Sequence, residues 1–162
     1  MAYRSVIIKN YINHFEEYAA YEAVSPGMLV EPRGGYATIK KHATEGGNAV
    51  PMFALENKLE GKGLADAYAA ADKVQVWIPV RGDEVYAQIE DEQSIAIGDF
   101  LESNGEGYLQ KVTNVEISSQ AADVVYPLQI VAVALEALDL SSLSAAGSSD
   151  TPTRQFCRVR IV

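Results

Sequence analysis

Cysteine is almost missing from this 162-residue chain: Cys157 is the only one. No disulfide can form within the chain and no cysteine-rich zinc site can be built. Histidine is scarce as well. His14 and His42 stand 28 residues apart, and neither falls in a nucleophile, zincin or metal-ligand pattern. The serines lack a Gly-x-Ser-x-Gly elbow, and no glycine pair leads into the Gly-Lys-Ser/Thr of a phosphate loop. The chain is therefore not expected to be an enzyme, and neither a cofactor nor a metal is expected. The one catalytic option left open is a carboxylate pair among the acids of residues 82–106. No apolar run approaches the roughly 18 residues that cross a bilayer. No apolar run in the first ten residues is longer than the three of Val6-Ile7-Ile8, which does not read as a signal peptide. The chain is expected to be made in the cytoplasm and to have no membrane partner.

Basic residues are the next shortage, and it is confined to one half. Residues 1–81 carry nine basic and nine acidic side chains; residues 82–162 carry four and thirteen, and with them the entire net charge of −9. Eight acids (Asp83, Glu84, Glu90, Asp91, Glu92, Asp99, Glu102, Glu106) follow one another between Gly82 and Gly107 without a lysine or arginine. Such a surface repels phosphate backbones, so no nucleic-acid partner is expected. It reads as a solvated face, or more specifically as a surface kept negative because it faces solution on a larger assembly.

What is present is apolar and globular: 48% of residues are hydrophobic and 9% aromatic, composition that can build a core. Residues 1–24 read as an N-terminal arm. After Val6-Ile7-Ile8, the rings of Tyr11, Phe15, Tyr18 and Tyr21 recur at spacings of four, three and three, which can line one side of a short helix. The stripe packs on its own domain or reaches a partner. Further on, Pro26-Gly27 and Gly34-Gly35 mark turns before strands at 28–30 and 36–39. Residues 44–71 are irregular, with a strand at 51–55 and one helical turn at 65–71, where alanine favours it.

From Lys73 the pattern is plainly β. Val74, Val76 and Ile78 alternate onto one face, with Pro79 marking an edge or strand end. Strands follow at 84–89 and 100–103, and Asn104-Gly105 signals a hairpin with 108–112 returning. Residues 127–140 fit a buried helix or a strand covered on both faces; β-branched residues at 130, 131 and 133 favour the strand. A Ser/Ala/Gly-rich flexible loop spans 141–153, and a terminal strand at 154–162 places Cys157, Val159 and Ile161 on its apolar side. Short strands at this spacing indicate an all-β barrel or sandwich. Asp72-Lys73, with Gly82-Asp83-Glu84-Val85 downstream, resembles the carrier turn of lipoyl-type domains. The interval between the two is too short for that, and Lys73 reads as a solvated strand start.

Several stretches, in order, carry a broader likeness. They are Tyr21-Glu22-Ala23 with Pro26-Gly27-Met28-Leu29-Val30, Lys41-His42-Ala43, Pro51-Met52-Phe53-Ala54 and Gly61-Lys62-Gly63-Leu64. They continue through Gly82-Asp83-Glu84-Val85-Tyr86, Ile95-Ala96-Ile97-Gly98-Asp99-Phe100-Leu101-Glu102-Ser103 and Asn104-Gly105-Glu106-Gly107. Over residues 20–162 the chain resembles the capsid cement, or head decoration, proteins of tailed bacteriophages. The resemblance implies a β-barrel or β-tulip-like domain over 25–162 with no catalytic residues. It implies a homotrimer bound to the major capsid protein on the outer surface of an expanded icosahedral head. The arm residues Tyr3, Val6, Ile8, Tyr11 and Phe15 are the expected capsid contacts, through strand addition at an exposed edge. A carbohydrate- or cell-surface-binding module, with Trp77 and the tyrosines as a sugar platform, is the alternative.

Overall fold

The computed structural model describes residues 3–34, 37–112, 128–141 and 155–162. In chain order their strands are β1 (Ile7–Lys9), β2 (Phe15–Ala20), β3 (Val30–Arg33), β4 (Thr38–Lys41), β5 (Phe53–Ala54), β6 (Lys73–Trp77), β7 (Glu84–Gln88), β8 (Ser94–Ile95), β9 (Phe100–Ser103), β10 (Leu109–Lys111), β11 (Ala132–Ala134), β12 (Leu138–Asp139) and β13 (Phe156–Ile161). A single 3-10 turn, Lys58–Glu60, is the helical element among the described residues. The fold is mainly β, as the strand spacing predicts. Its strands form a six-stranded sheet (β1-β7-β13-β11-β9-β10), a five-stranded sheet (β3-β4-β2-β6-β5) and the small pair β12-β8. None closes into a barrel; one parallel bridge, Ile89 to Leu109, draws the six-stranded sheet round on itself.

Two apolar clusters hold these layers. The larger joins the two main sheets and includes Val6, Leu29, Phe53, Trp77, Val85, Leu101 and Val159. The second lies on the other face of the five-stranded sheet, where Tyr18, Ala20, Val74 and Val76 meet Val24, Met28, Met52 and Tyr68. Period-two alternation explains the split. Val74 and Val76 point one way and Gln75 and Trp77 the other, so β6 serves both clusters.

The N-terminal residues do not extend from the body. β1 pairs with β7, and β2 runs through the middle of the five-stranded sheet, paired with β6 from Phe15 to Ala19. The aromatic spacing that suggested a helix is divided instead: Tyr18 is buried, Phe15 faces out, and Tyr11 and Tyr21 lie outside β2. A short isolated helix is marginal in water, whereas β2 finds an open strand to pair with and buries Tyr18 and Ala20 by doing so.

The helical turn expected at 65–71 is also replaced. Tyr68 bridges to Val24 and donates its hydroxyl to the Leu55 carbonyl at 2.8 Å. Ala71 takes a left-handed φ of 72°, and the Asp72 carboxylate accepts from the Ala69 N–H. An anchored aromatic and an Asp-closed turn outweigh the few tenths of a kcal/mol that alanine offers a helix.

Elsewhere the expected elements form. β9 and β10 make the predicted hairpin, with Ser103 opposite Leu109. The loop is longer than a two-residue Asn-Gly turn. Positive φ falls on Gly105 and Gly107, and the Asn104 side-chain oxygen accepts from the N–H groups of Glu106 and Tyr108. Residues 128–140 supply β11 and β12, so the strand reading of that stretch holds with a break between two short pieces. β13 carries Cys157, Val159 and Ile161 inward and occupies a central place between β7 and β11. The loop expected at 141–153 lies, beyond Ser141, outside the described residues, as does Gly35-Tyr36 before β4.

One glycine is required by space as well as by conformation. Gly27 has φ of +84°, and a β-carbon there would stand 2.7 Å from the Phe156 ring and 3.0 Å from the Tyr86 carbonyl oxygen. Gly27→Ala is expected to lower stability by about 1–3 kcal/mol. A reduced urea midpoint at unchanged slope is the result to look for; an unchanged midpoint would show that Phe156 can move away at no cost.

Candidate docking surface

The five arm residues proposed as contacts from sequence part company in the structure. Val6 is fully buried in the larger core, and its N–H donates to the Glu56 carboxylate at 3.1 Å. Tyr3 is half-buried, set edge-on to Tyr86 at 5.2 Å, with its hydroxyl accepting from Arg158 at 3.2 Å. Ile8 is half-buried within β1. These three hold the chain to itself. Tyr11 and Phe15 remain outside, at 67% and 49% exposure, and Ile12 joins them at 57%. Sequence reasoning passed over Ile12 because it falls outside the aromatic spacing.

The loop that carries these side chains is held firmly. Asp83 is fully buried, and its two carboxylate oxygens accept from the N–H of Tyr11 at 2.8 Å and of Val80 at 2.9 Å. One carboxylate thus sets the Tyr11 and Val80 backbones side by side, and Val80 is itself partly exposed next to this loop. The Asp83 main chain bonds on to Ile161 at the end of β13. The His14 carbonyl accepts from Ile78, and the Lys9 ammonium lies 5.3 Å from the Tyr11 ring centroid. A loop fixed in this way loses little freedom when a partner covers it.

Next to the patch, a cleft of about 420 Å³ opens between β1 of the six-stranded sheet and the face of β2 and β6 turned toward it, lined by Ile7, Phe15, Glu17, Leu55, Lys58 and Gln75. Glu56 lies in its wall, almost wholly buried. Burial opposes its ionisation, but bonds from Ser5 Oγ at 2.5 Å and Lys58 Nζ at 2.9 Å, with backbone N–H groups, outweigh that and hold the carboxyl below its ordinary range. Ser5, Val6 and Lys58 are thereby tied together at one side of the cleft.

The acids of 82–106 are not one solvated face. Asp83, Glu84 and Glu102 are buried. Glu84 accepts from Arg158 Nε at 2.9 Å and Arg160 at 2.8 Å, and Glu102 from the side-chain amides of Gln110 and Gln129. Asp91, Glu92 and Glu106 are exposed, with Glu90 and Asp99 between the two classes. Trp77 is fully buried, so it offers no sugar-binding platform.

One cluster has the outline of a hydrolytic triad. Ser103 Oγ lies 2.8 Å from His42 Nδ1, and Glu31 lies 3.6 Å from His42 Nε2. Nε2 also meets the Asn48 carbonyl at 3.0 Å, so it bears the proton and Ser103 donates to Nδ1. Ser103 is fully buried and its oxygen accepts from the Gly105 N–H. The hydroxyl has no surface on which to meet a substrate; the cluster fastens the 42–48 loop to the end of β9. Among the described residues no group of three or more His, Cys, Asp or Glu side chains is placed to hold a metal ion.

No protein-family model and no curated protein sequence matches the chain. A solved structure does: the N base of head fiber gp8.5 from bacteriophage phi29, with a TM-score of 0.55 over 93% of this chain and 95% of that one, at 14% sequence identity. The two share a fold along nearly their whole lengths.

Proposed function

We propose that this chain is a structural protein of a bacteriophage head, a decoration protein that binds the outer surface of the expanded capsid and clamps major capsid subunits against internal DNA pressure. The observation that carries the reading is the fold shared, end to end, with the base of a phage head fiber. The exposed, pre-fixed patch of Tyr11, Ile12, Phe15 and Val80 supports it, because apolar side chains held at low entropic cost suit a partner surface. A clamp that binds only the assembled shell stabilises that shell by linkage. Copies joined as a trimer would sum weak contacts across subunit seams.

Cosedimentation with expanded, undecorated heads of the phage that encodes the chain tests this, with unexpanded shells as control. Saturable binding to expanded heads, near one copy per capsid subunit, is expected. Tyr11→Ser with Ile12→Ser is expected to weaken it roughly tenfold or more without moving the unfolding midpoint. Absence of binding by the unaltered chain would overturn the proposal.

A further inference from the structure

We infer that the groove along the Phe15–Glu17–Gln75 face of β2 and β6 receives an extended segment of the capsid subunit, seated by an apolar side chain at one end and a cationic one at the other. The inference rests on the capsid-binding reading above and assigns the contact within it. The strand register builds the groove: Phe15 stands opposite Trp77, Glu17 opposite Gln75 and Ala19 opposite Lys73, all on one face. Trp77 itself is buried under the six-stranded sheet, while Phe15 beside it is half-exposed and lines the cleft. Further along β2 and β6, Glu17 and Gln75 line both the 420 Å³ cleft and a second hollow of about 260 Å³ that continues it.

The two hollows share Glu17 and Gln75 but differ in chemistry. Ile7, Phe15 and Leu55 make the first apolar, a seat for one aliphatic or aromatic side chain. Lys62, Asp72 and Lys73 line the second. Around the whole groove, Glu17, Glu56, Glu60 and Asp72 face three lysines, Lys58, Lys62 and Lys73. Carboxylates exceed ammonium groups by one, the surplus lying at the second hollow among Glu17, Glu60, Asp72, Lys62 and Lys73, so a lysine or arginine of the occupant is favoured there and a further acid is not. β2 is six residues long, about 20 Å of strand, which matches an extended peptide rather than a compact ligand.

The backbone agrees with a peptide occupant. β4 joins β2 only at Ala19 and Ala20, so among the described residues the Phe15–Glu17 half of β2 is paired on one side alone, by β6. A strand edge left open among the described residues, with Phe15 and Glu17 also lining the cleft, is the arrangement that recruits an extended segment, main chain supplying affinity and pocketed side chains supplying specificity.

Two variants test the groove without touching Tyr11 or Ile12. Gln75→Trp fills it from its floor, and Glu17→Lys reverses a charge on an exposed side chain. Each is measured by cosedimentation with expanded heads and by thermal unfolding. The unaltered chain is also used to probe an array of overlapping peptides covering the major capsid protein. The inference expects a loss of capsid affinity of about tenfold or more for each variant at an unchanged midpoint. It also expects retained peptides to pair an apolar residue with a nearby lysine or arginine. Should one variant unfold, the other decides alone. If the unaltered chain binds heads and both folded variants bind equally well, the groove is not the contact while the capsid-binding reading stands. If the unaltered chain binds no heads, both fall.

Discussion

Trp77→Ala is expected to cost about 3–5 kcal/mol of unfolding free energy, the range for deleting a large buried ring. Trp77 is fully buried and sits where three strands meet, opposite Phe15 of β2 and Phe53 of β5. It also belongs to the cluster that joins the two main sheets, with Val6, Leu29 and Val85. Truncation removes the transfer energy of the ring and leaves a void that regular strands on either side cannot collapse to fill. Trp77→Phe should behave quite differently. The indole Nε1–H is buried with no hydrogen-bond partner among the described residues, an omission that costs about 1–3 kcal/mol. Phenylalanine gives up some ring volume but also the stranded donor, so the two effects oppose, and a net change within about 1 kcal/mol is expected. Urea unfolding of the two variants checks both. A phenylalanine variant as unstable as the alanine one would show that ring volume outweighs the unpaired donor.

Glu84 is the second site of large effect. Its carboxylate is buried on the outer face of β7 and joined by Arg158 and Arg160 from β13. Arg158 passes the connection on to the Tyr3 hydroxyl. Glu84→Ala is expected to cost about 2–4 kcal/mol. That is toward the lower part of the range for breaking a buried ion pair, because the two arginine side chains keep 36% and 47% exposure and can be rehydrated. The pH dependence follows from the same contacts. Burial opposes ionisation of Glu84, but bonds from Arg160 and Arg158 prevail and hold its carboxyl below the ordinary range; Glu56 is displaced the same way. A carboxyl depressed in the folded state lends stability that is complete above its unfolded pKa, roughly 4.3. That stability is lost as pH falls from there through the folded value. Glu84→Gln should therefore narrow its deficit against the unaltered chain as pH falls below that point. A deficit constant down to the acid transition would show that the ion pair contributes nothing to the linkage.

Both sites show where one-dimensional reading stops. The alternation of β13 placed Arg158 and Arg160 on its polar side. Their register against Glu84, which leaves the carboxylate buried between them, depends on two strands more than 70 residues apart meeting in antiparallel order. The run of acids after Gly82 looked uniform because charge density is additive along a sequence. Burial is not, and Asp83, Glu84 and Glu102 went inside because backbone N–H groups, guanidiniums and glutamine amides were waiting there. Spacing misled at the N-terminus for a related reason. Intervals of four, three and three are compatible with a helix, but the alternation of Tyr18 and Ala20 also fits a strand, and only the presence of β6 beside it selects between them.

Local chemistry settled what neighbours in sequence can settle. Period-two alternation marked β6 and β13, turn residues set off β7 and β9, and Asn-Gly marked the β9–β10 connection. Each of these depends on residues within a few positions of one another. The tertiary structure decided the rest: that Val6 is core while Tyr11 and Phe15 are surface, that Ile12 and Val80 join them, and that a groove opens where two sheets part. Those outcomes depend on which strands become neighbours, a choice made by burying apolar faces across distances that local pattern does not span.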